Sequence, residues 1–173
     1  YLETNEVNPR TLYLSPQVES IFGYAPELLM ARPSLWDDSI HVDDREVLEE
    51  VWARSVETGE PFALEYRVIR PDGRVVWTRD AGAPVQDADG HTLYWHGVMH
   101  DITASKSAEE ALRESEARYR ALVENLPAVV YVVAPDDDRK TLYVSPQVEV
   151  ALGYSRLEWL DQPDIWMELL HPD

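Results

Sequence analysis

No cysteine occurs among the 173 residues of the chain. Disulfides, thiolate catalysis, iron–sulfur clusters and cysteine-ligated zinc are thereby excluded. Basic residues are scarce: 15 lysines and arginines stand against 33 aspartates and glutamates, a net charge of −18. Such a balance repels nucleic-acid backbones and anionic membrane surfaces, so neither is expected as a partner. No apolar run approaches the roughly 18 residues that a membrane span needs, and no signal peptide pattern opens the sequence. A soluble, cytoplasmic protein without direct membrane contact is the expectation. Hydrophobic residues make up 45%, enough for a packed core and too many for wholesale disorder.

The chain repeats itself. Tyr1–Asp43 aligns without a gap onto Tyr131–Asp173. Thr11-Leu12-Tyr13-Leu14-Ser15-Pro16-Gln17-Val18-Glu19 matches Thr141-Leu142-Tyr143-Val144-Ser145-Pro146-Gln147-Val148-Glu149. Gly23-Tyr24, Pro33, Trp36 and His41 recur as Gly153-Tyr154, Pro163, Trp166 and His171. A period this long points to tandem domains rather than a solenoid. The chain opens on Tyr1 rather than methionine and stops inside the repeated motif at His171-Pro172-Asp173. It reads as a piece of a longer protein whose second copy is truncated.

Hydrophobic spacing predicts the elements. Leu12 and Leu14 alternate as a short strand, ended by Ser15-Pro16. Val18, Ile21 and Phe22 give a helical face that Gly23 stops. Pro26 and Pro33 punctuate two more short turns. Asp43-Asp44-Arg45-Glu46 reads as a capping box, with Asp43 capping and Glu46 reaching back. It opens a helix with Leu48, Val51, Trp52 and Val56 at helical spacing, up to Gly59. The period then changes to two. Phe62, Leu64, Tyr66 and Val68 alternate with Ala63, Glu65 and Arg67, Pro71-Asp72-Gly73 turns, and Arg74 to Pro84 returns. Asp87-Ala88-Asp89-Gly90 turns again, and His91 to Ile102 is a third long strand. The result is an α+β domain.

Thr103 can cap the next helix, which runs to about Asn125. Ala108, Leu112, Ser115, Tyr119, Leu122 and Leu126 form an a/d seam of about two and a half heptads. Glu109–Arg113, Glu114–Arg118 and Glu116–Arg120 are acid-first i,i+4 pairs. The seam predicts pairing with a second copy; the competing reading is an amphipathic helix packed on its own domain.

Taken together these motifs resemble the PAS superfamily, in the subtype of tandem sensory repeats found in bacterial signalling proteins. The resemblance rests on Tyr13-Leu14-Ser15-Pro16, Gly23-Tyr24, Trp36 with His41-Val42-Asp43-Asp44, and Glu65-Tyr66-Arg67. It continues through Pro71-Asp72-Gly73 with Trp77, and Gly97 leading into Asp101-Ile102-Thr103. The segment from Ala108 to Leu122 resembles an inter-PAS helix. Val42 departs from the family's usual proline, which the second copy has as Pro172.

The resemblance implies a five-stranded antiparallel sheet with short helices on one face and a small pocket between them. Residues 1–103 would be one PAS domain with most of its first strand missing, leaving an unpaired edge along His91 to Ile102. Residues 104–125 would be a helical connector, and 126–173 the opening part of a second PAS domain. That second part is expected either to be poorly ordered or to dock Ala128–Val133 against an exposed edge. The implied pocket residues are Tyr13, Phe22, Trp36, Ile40, Val51, Trp52, Tyr66, Trp77 and Val98. Signal relay would pass through Asp101, Ile102 and Thr103. A homodimer through the PAS domain and the seam residues Ala108, Leu112, Tyr119 and Leu122 is expected. The parent would carry an output domain, a two-component histidine kinase or a cyclic-di-GMP enzyme.

Sharper chemistry fits the sequence less well. On a strand, His96 and His100 lie roughly 13 Å apart at about 3.3 Å per residue, too far for one metal with bonds near roughly 2 Å. Asp37-Asp38 and Asp43-Asp44 lack a partnered nucleophile, and Asp136-Asp137-Asp138 reads as an acidic turn, so no catalytic residue is assigned. The cofactor is left unknown. Covalent flavin photochemistry in the family needs a cysteine, and the common haem type needs a histidine on the long helix, where Asp43 to Thr58 has none. Trp36, Trp52 and Trp77 are read as an aromatic core. A structural dimerisation or spacer module without ligand is the competing function.

Overall fold

The computed structural model describes residues 1–5, 10–135, 140–162 and 165–169. The acidic run Asp136–Asp138, Pro163, His171–Asp173 and the side chain of Trp166 lie outside the described residues. The chain divides into two compact units, Tyr1–Glu109 and Glu110–Asp173. Among the described residues no helix is long and apolar enough to cross a membrane.

The first unit is built on five strands: β1 (Leu2–Thr4), β2 (Thr11–Tyr13), β3 (Phe62–Ile69), β4 (Val75–Gln86) and β5 (Thr92–Asp101). They form one antiparallel sheet in the order β2-β1-β5-β4-β3. Between β2 and β3 run the short helices α1 (Val18–Phe22), α2 (Pro26–Ala31) and α3 (Ser34–Ser39), a 3-10 turn at Val42–Asp44, and the long α4 (Arg45–Thr58). Gly23 and Gly59 end α1 and α4 in the left-handed conformation, which glycine adopts without a Cβ penalty.

Period-two alternation decides which side of the sheet is core. Tyr66, Val68 and Val76 point inward against Val18, Ile21, Phe22, Leu29 and Ile40. Glu65, Arg67, Trp77 and Arg79 take the opposite parity. Helix α5 (Thr103–Asn125) leaves the end of β5.

Three expectations are corrected. First, β5 does not have a wholly open edge. Leu2, Glu3 and Thr4 pair with His96, Trp95 and Tyr94, and Tyr1 exchanges backbone hydrogen bonds with Gly97 of 2.8 and 3.0 Å. Second, Asp43 does not cap α4. His41 Nδ1 accepts from the Asp43 amide at 3.3 Å, and Asp44 stands at the head of α4 without a side-chain cap bond. Its carboxylate instead accepts the Arg67 amide and Nε at 2.9 Å each and Nη2 at 2.6 Å, while Asp43 takes Nη2 at 3.2 Å. A bidentate guanidinium–carboxylate pair is stronger than a backbone cap, and it holds the Asp44 carboxyl below the usual carboxylate range. Third, Thr103 is already helical, and its hydroxyl accepts from the Trp77 amide at 3.0 Å rather than capping α5. The Thr103 amide donates to Asp101 Oδ1 at 2.8 Å.

The second unit pairs β6 (Tyr131–Val133) with β7 (Thr141–Val144), so the strand expected to dock elsewhere has a partner in its own unit. Helices α6 (Gln147–Leu152), α7 (Arg156–Asp161) and α8 (Ile165–Leu169) follow. Val144, Val148, Trp159 and Ile165 form its core; the first three repeat the buried Leu14, Val18 and Leu29 of the first copy. The start of the corresponding short helix is solved differently in each copy. Pro26 stands at the start of α2, whereas Ser155 and Glu158 make a reciprocal capping box for α7.

Candidate functional site

A cavity of about 600 Å³ lies between the sheet and the helices of the first unit. Phe62, Leu64 and Tyr66 of β3 and Asp80 of β4 form its sheet wall, with Glu3 of β1 and the preceding Tyr1. Trp36 and Asp37 of α3, and Leu48, Glu49, Val51 and Trp52 of α4, cover it. The α4 residues recur at helical spacing, which turns one face of that helix to the cavity.

Aromatic rings frame the space. Trp36 stacks on Phe22 with centroids 4.4 Å apart and meets Tyr1 edge-on at 6.1 Å. Trp52 meets Trp95 edge-on at 5.3 Å and Phe62 at 5.7 Å. Two glycines make room for these rings. A Cβ at Gly97 would overlap the Tyr1 phenol, and one at Gly82 would overlap the Phe62 ring. The bare backbone at Gly97 lets Tyr1 reach across β5 to Asp80.

The polar content of the wall is acidic. Asp80 is 4% exposed, and its carboxylate accepts from the phenols of Tyr1 at 3.0 Å and Tyr66 at 3.1 Å. Burial pushes its pKa up to about 6, although the phenol hydrogen bonds work the other way. Glu3 is 8% exposed and receives a long 3.5 Å hydrogen bond from Thr11. Burial, and then the charge of Asp80, push Glu3 up to about 7. Burial and Asp80 also push both phenols upward. Asp37, nearer solvent, is raised by burial and by Asp38 and Glu49. Among the described residues no lysine, arginine or histidine lines the cavity. The Trp52 indole N–H is buried without a hydrogen-bond partner among the described residues.

Of the residues expected in a pocket, Trp36, Val51, Trp52 and Tyr66 line this cavity. Phe22 and Ile40 are buried beside it, Phe22 as the backing of Trp36. Three are elsewhere. Tyr13 lies on the edge strand β2 and is 52% exposed. Val98 is 55% exposed because it shares the parity of His96 and His100, opposite to buried Trp95. Trp77 faces away from the core, between Arg67 at 5.5 Å and Lys106 at 5.2 Å from its ring centroid. The acids are not among the expected residues. Asp80 has the inward parity of Val76 and Thr78, a signal the sequence contains. Glu3 lies in β1, which the sequence reading expects to be mostly missing.

The relay candidates cluster around Trp77. Its backbone accepts from Ile102 N at 2.8 Å and donates to Thr103 Oγ1, and Lys106 Nζ sits 2.7 Å from Glu65. Ala108, Leu112, Tyr119 and Leu122 are all exposed on α5. Asp87, Asp89 and His91 bring ligand-type atoms within 4.8 Å on an exposed turn. The turn's own hydrogen bonds, from the Asp89 and His91 amides to Asp87 Oδ1, account for that grouping.

A family model described as PAS fold matches residues 11–99, and one described as PAS domain matches residues 117–173. The uncharacterized protein y4lL of Sinorhizobium fredii is 31% identical, over 98% of this chain and 20% of its own length. A blue-light-activated histidine kinase of Brucella ovis is 26% identical, over 92% of this chain and 31% of its own. The chain therefore spans less than a third of these curated relatives. Among solved structures, a light-oxygen-voltage domain is similar in fold, with 20% identity and a TM-score of 0.50 over 68% of this chain and 85% of that one.

Proposed function

Because the chain belongs to the PAS family, in tandem copies, we propose that its first unit senses a small ligand in the cavity and relays its state into α5. Asp101, Ile102 and Thr103 are the exit of that relay. Residues 1–103 are the sensory domain in this reading, 104–125 the connector, and 126–173 the opening of the second domain. The alternation along β3 carries the proposal. Leu64 and Tyr66 line the cavity, while Glu65 and Arg67 face the other way and engage Lys106 and Trp77 at the root of α5. A ligand that displaces Tyr66 must therefore displace the neighbours that hold α5. Lys106→Ala is expected to raise amide exchange across residues 103–110 while the Tyr66 and Asp80 strands stay protected. Unchanged exchange at the root of α5 would sink the relay.

The whole protein is proposed to be cytoplasmic and to work as a homodimer paired through α5. Its output domain would be a histidine kinase, a reading supported by the Brucella relative. The seam is testable on this chain: Leu112→Asp with Leu122→Asp should convert dimers to monomers by light scattering. Carboxylates at two seam positions that the dimer would bury would face like charge across the interface. An unchanged mass removes α5 as the dimer element.

A further inference from the structure

We propose that the ligand of this cavity is a small organic cation, an amine or quaternary ammonium, held between the aromatic walls and the Glu3–Asp80 carboxylates. The proposal rests on the sensory reading above and adds to it the chemistry of the ligand. Among the described residues four carboxylates line the cavity, and no basic side chain does. They run from exposed Asp37 and Glu49 to buried Glu3 and Asp80. An acidic, low-dielectric cleft of this form concentrates cations and turns away phosphates and carboxylates.

Buried carboxylates with little countercharge are costly. Asp80 has two phenols to satisfy it, but among the described residues Glu3 has only the long Thr11 bond and a share of the Tyr1 amino group's charge. No ion pair to either carboxylate from a lysine, arginine or histidine is found among the described residues. A bare metal ion fits poorly. Among the described residues the cavity acids do not bring three ligand atoms within 4.8 Å of one another, unlike Asp87, Asp89 and His91 on the exposed turn. A volume of about 600 Å³ also exceeds what a single ion fills and lies in the range of organic ligands. Trp36 and Tyr66 belong to the lining, and aromatic rings attract a desolvated ammonium group. The unpartnered Trp52 indole N–H would be satisfied by an acceptor oxygen on the same ligand.

The test is calorimetric titration of the whole chain with choline, tetramethylammonium, putrescine and agmatine. The neutral isostere 3,3-dimethylbutan-1-ol serves as the shape control. At least one cation should bind, with the isostere weaker by about tenfold or more. Glu3→Gln and Asp80→Asn, near-isosteric changes, should each weaken that cation about tenfold, whereas Asp89→Asn on the exposed turn should not. A second readout needs no variant: affinity of the native chain should tighten from pH 5.5 to 8. Over that range Glu3 and Asp80 lose their protons. Groups facing Glu3 are Asp80, Asp37, Thr11 and the Tyr1 amino group; Asp80 is faced by the Tyr1 and Tyr66 phenols and the same amino group. Equal or tighter binding of the isostere, or affinities indifferent to both substitutions, overturns the cation and leaves the sensory cavity standing. If neither the cations nor the isostere bind, the cation proposal fails and the sensory reading falls with it.

Discussion

Trp95→Ala is expected to lower the stability of the first unit by about 3–5 kcal/mol. Trp95 is fully buried in the middle of the sheet, its backbone paired with Glu3 on one side and Pro84 on the other. Its ring meets Trp52 at 5.3 Å and Phe62 at 6.0 Å, and its indole N–H donates to Asn5 Oδ1 at 2.9 Å. Truncation removes a large apolar surface and leaves a void that neighbours held by two strands and α4 cannot fill. Because small domains are stable by only about 5–15 kcal/mol, the loss should show as a large fall in the urea midpoint. Trp95→Phe keeps most of the ring contact and gives up the Asn5 hydrogen bond, so about 1–2 kcal/mol is expected for it. A similar cost for the two substitutions, or less than about 1.5 kcal/mol for alanine, would mean that the aromatic cluster is not the keystone of this core. Trp52 should also lose its backing, so ligand affinity is expected to weaken before the fold is lost.

Trp95 was legible in the sequence only through strand parity. The alternation of Phe62, Leu64, Tyr66 and Val68 was strong because their intervening neighbours are mostly polar. Along β4 and β5 both faces carry bulky residues, and composition no longer marks the core side. Trp77 and Val98 were accordingly placed in the core, although Val76, Thr78 and Asp80 on one strand and Trp95 and Gly97 on the other hold the inward parity. Hydrophobicity also misled in the opposite sense. Asp80 is a charged residue among strand residues and reads as solvent-facing, yet the phenols of Tyr1 and Tyr66 satisfy it inside. Those phenols are 79 and 14 residues away, and no local pattern encodes such a pairing.

The helix starts failed for a related reason. Asp43-Asp44 and Thr103 have the side chains a cap needs, but long-range partners outcompete the local bond. Arg67 takes the carboxylates and the Trp77 amide takes the hydroxyl. Both partners lie on the outward face at the root of α5, where the relay is proposed. Local rules gave way here to tertiary contacts that tie the sheet to its helices.

The ligand-free protein should lose stability as pH rises from 5 to 8, on the order of 3 kcal/mol. Glu3 and Asp80 have ordinary values of 4.5 and 3.8 but sit at about 7 and 6 when folded. Between about pH 4 and 7 the folded state keeps protons that the unfolded chain has released, so each rise in pH favours unfolding. Below that window both carboxyls are neutral in either state and the penalty vanishes. Asp44 acts in the opposite direction. Arg67 holds it below its ordinary value, so its contribution is present above about pH 4 and is lost in acid. Maximum stability is therefore expected near pH 4–5. Urea unfolding at pH 5 and pH 8, at fixed ionic strength, measures the slope. General repulsion from the net charge of −18 adds a slope of its own, so the comparison that matters is with the Glu3→Gln, Asp80→Asn double variant. That variant should flatten the profile, while Asp89→Asn should leave it unchanged. A double variant as pH-sensitive as the native chain would show that the two buried carboxyls do not carry the dependence. Saturating the native chain with a cation that binds should raise its stability at pH 8 far more than at pH 5, because only there are both carboxylates charged.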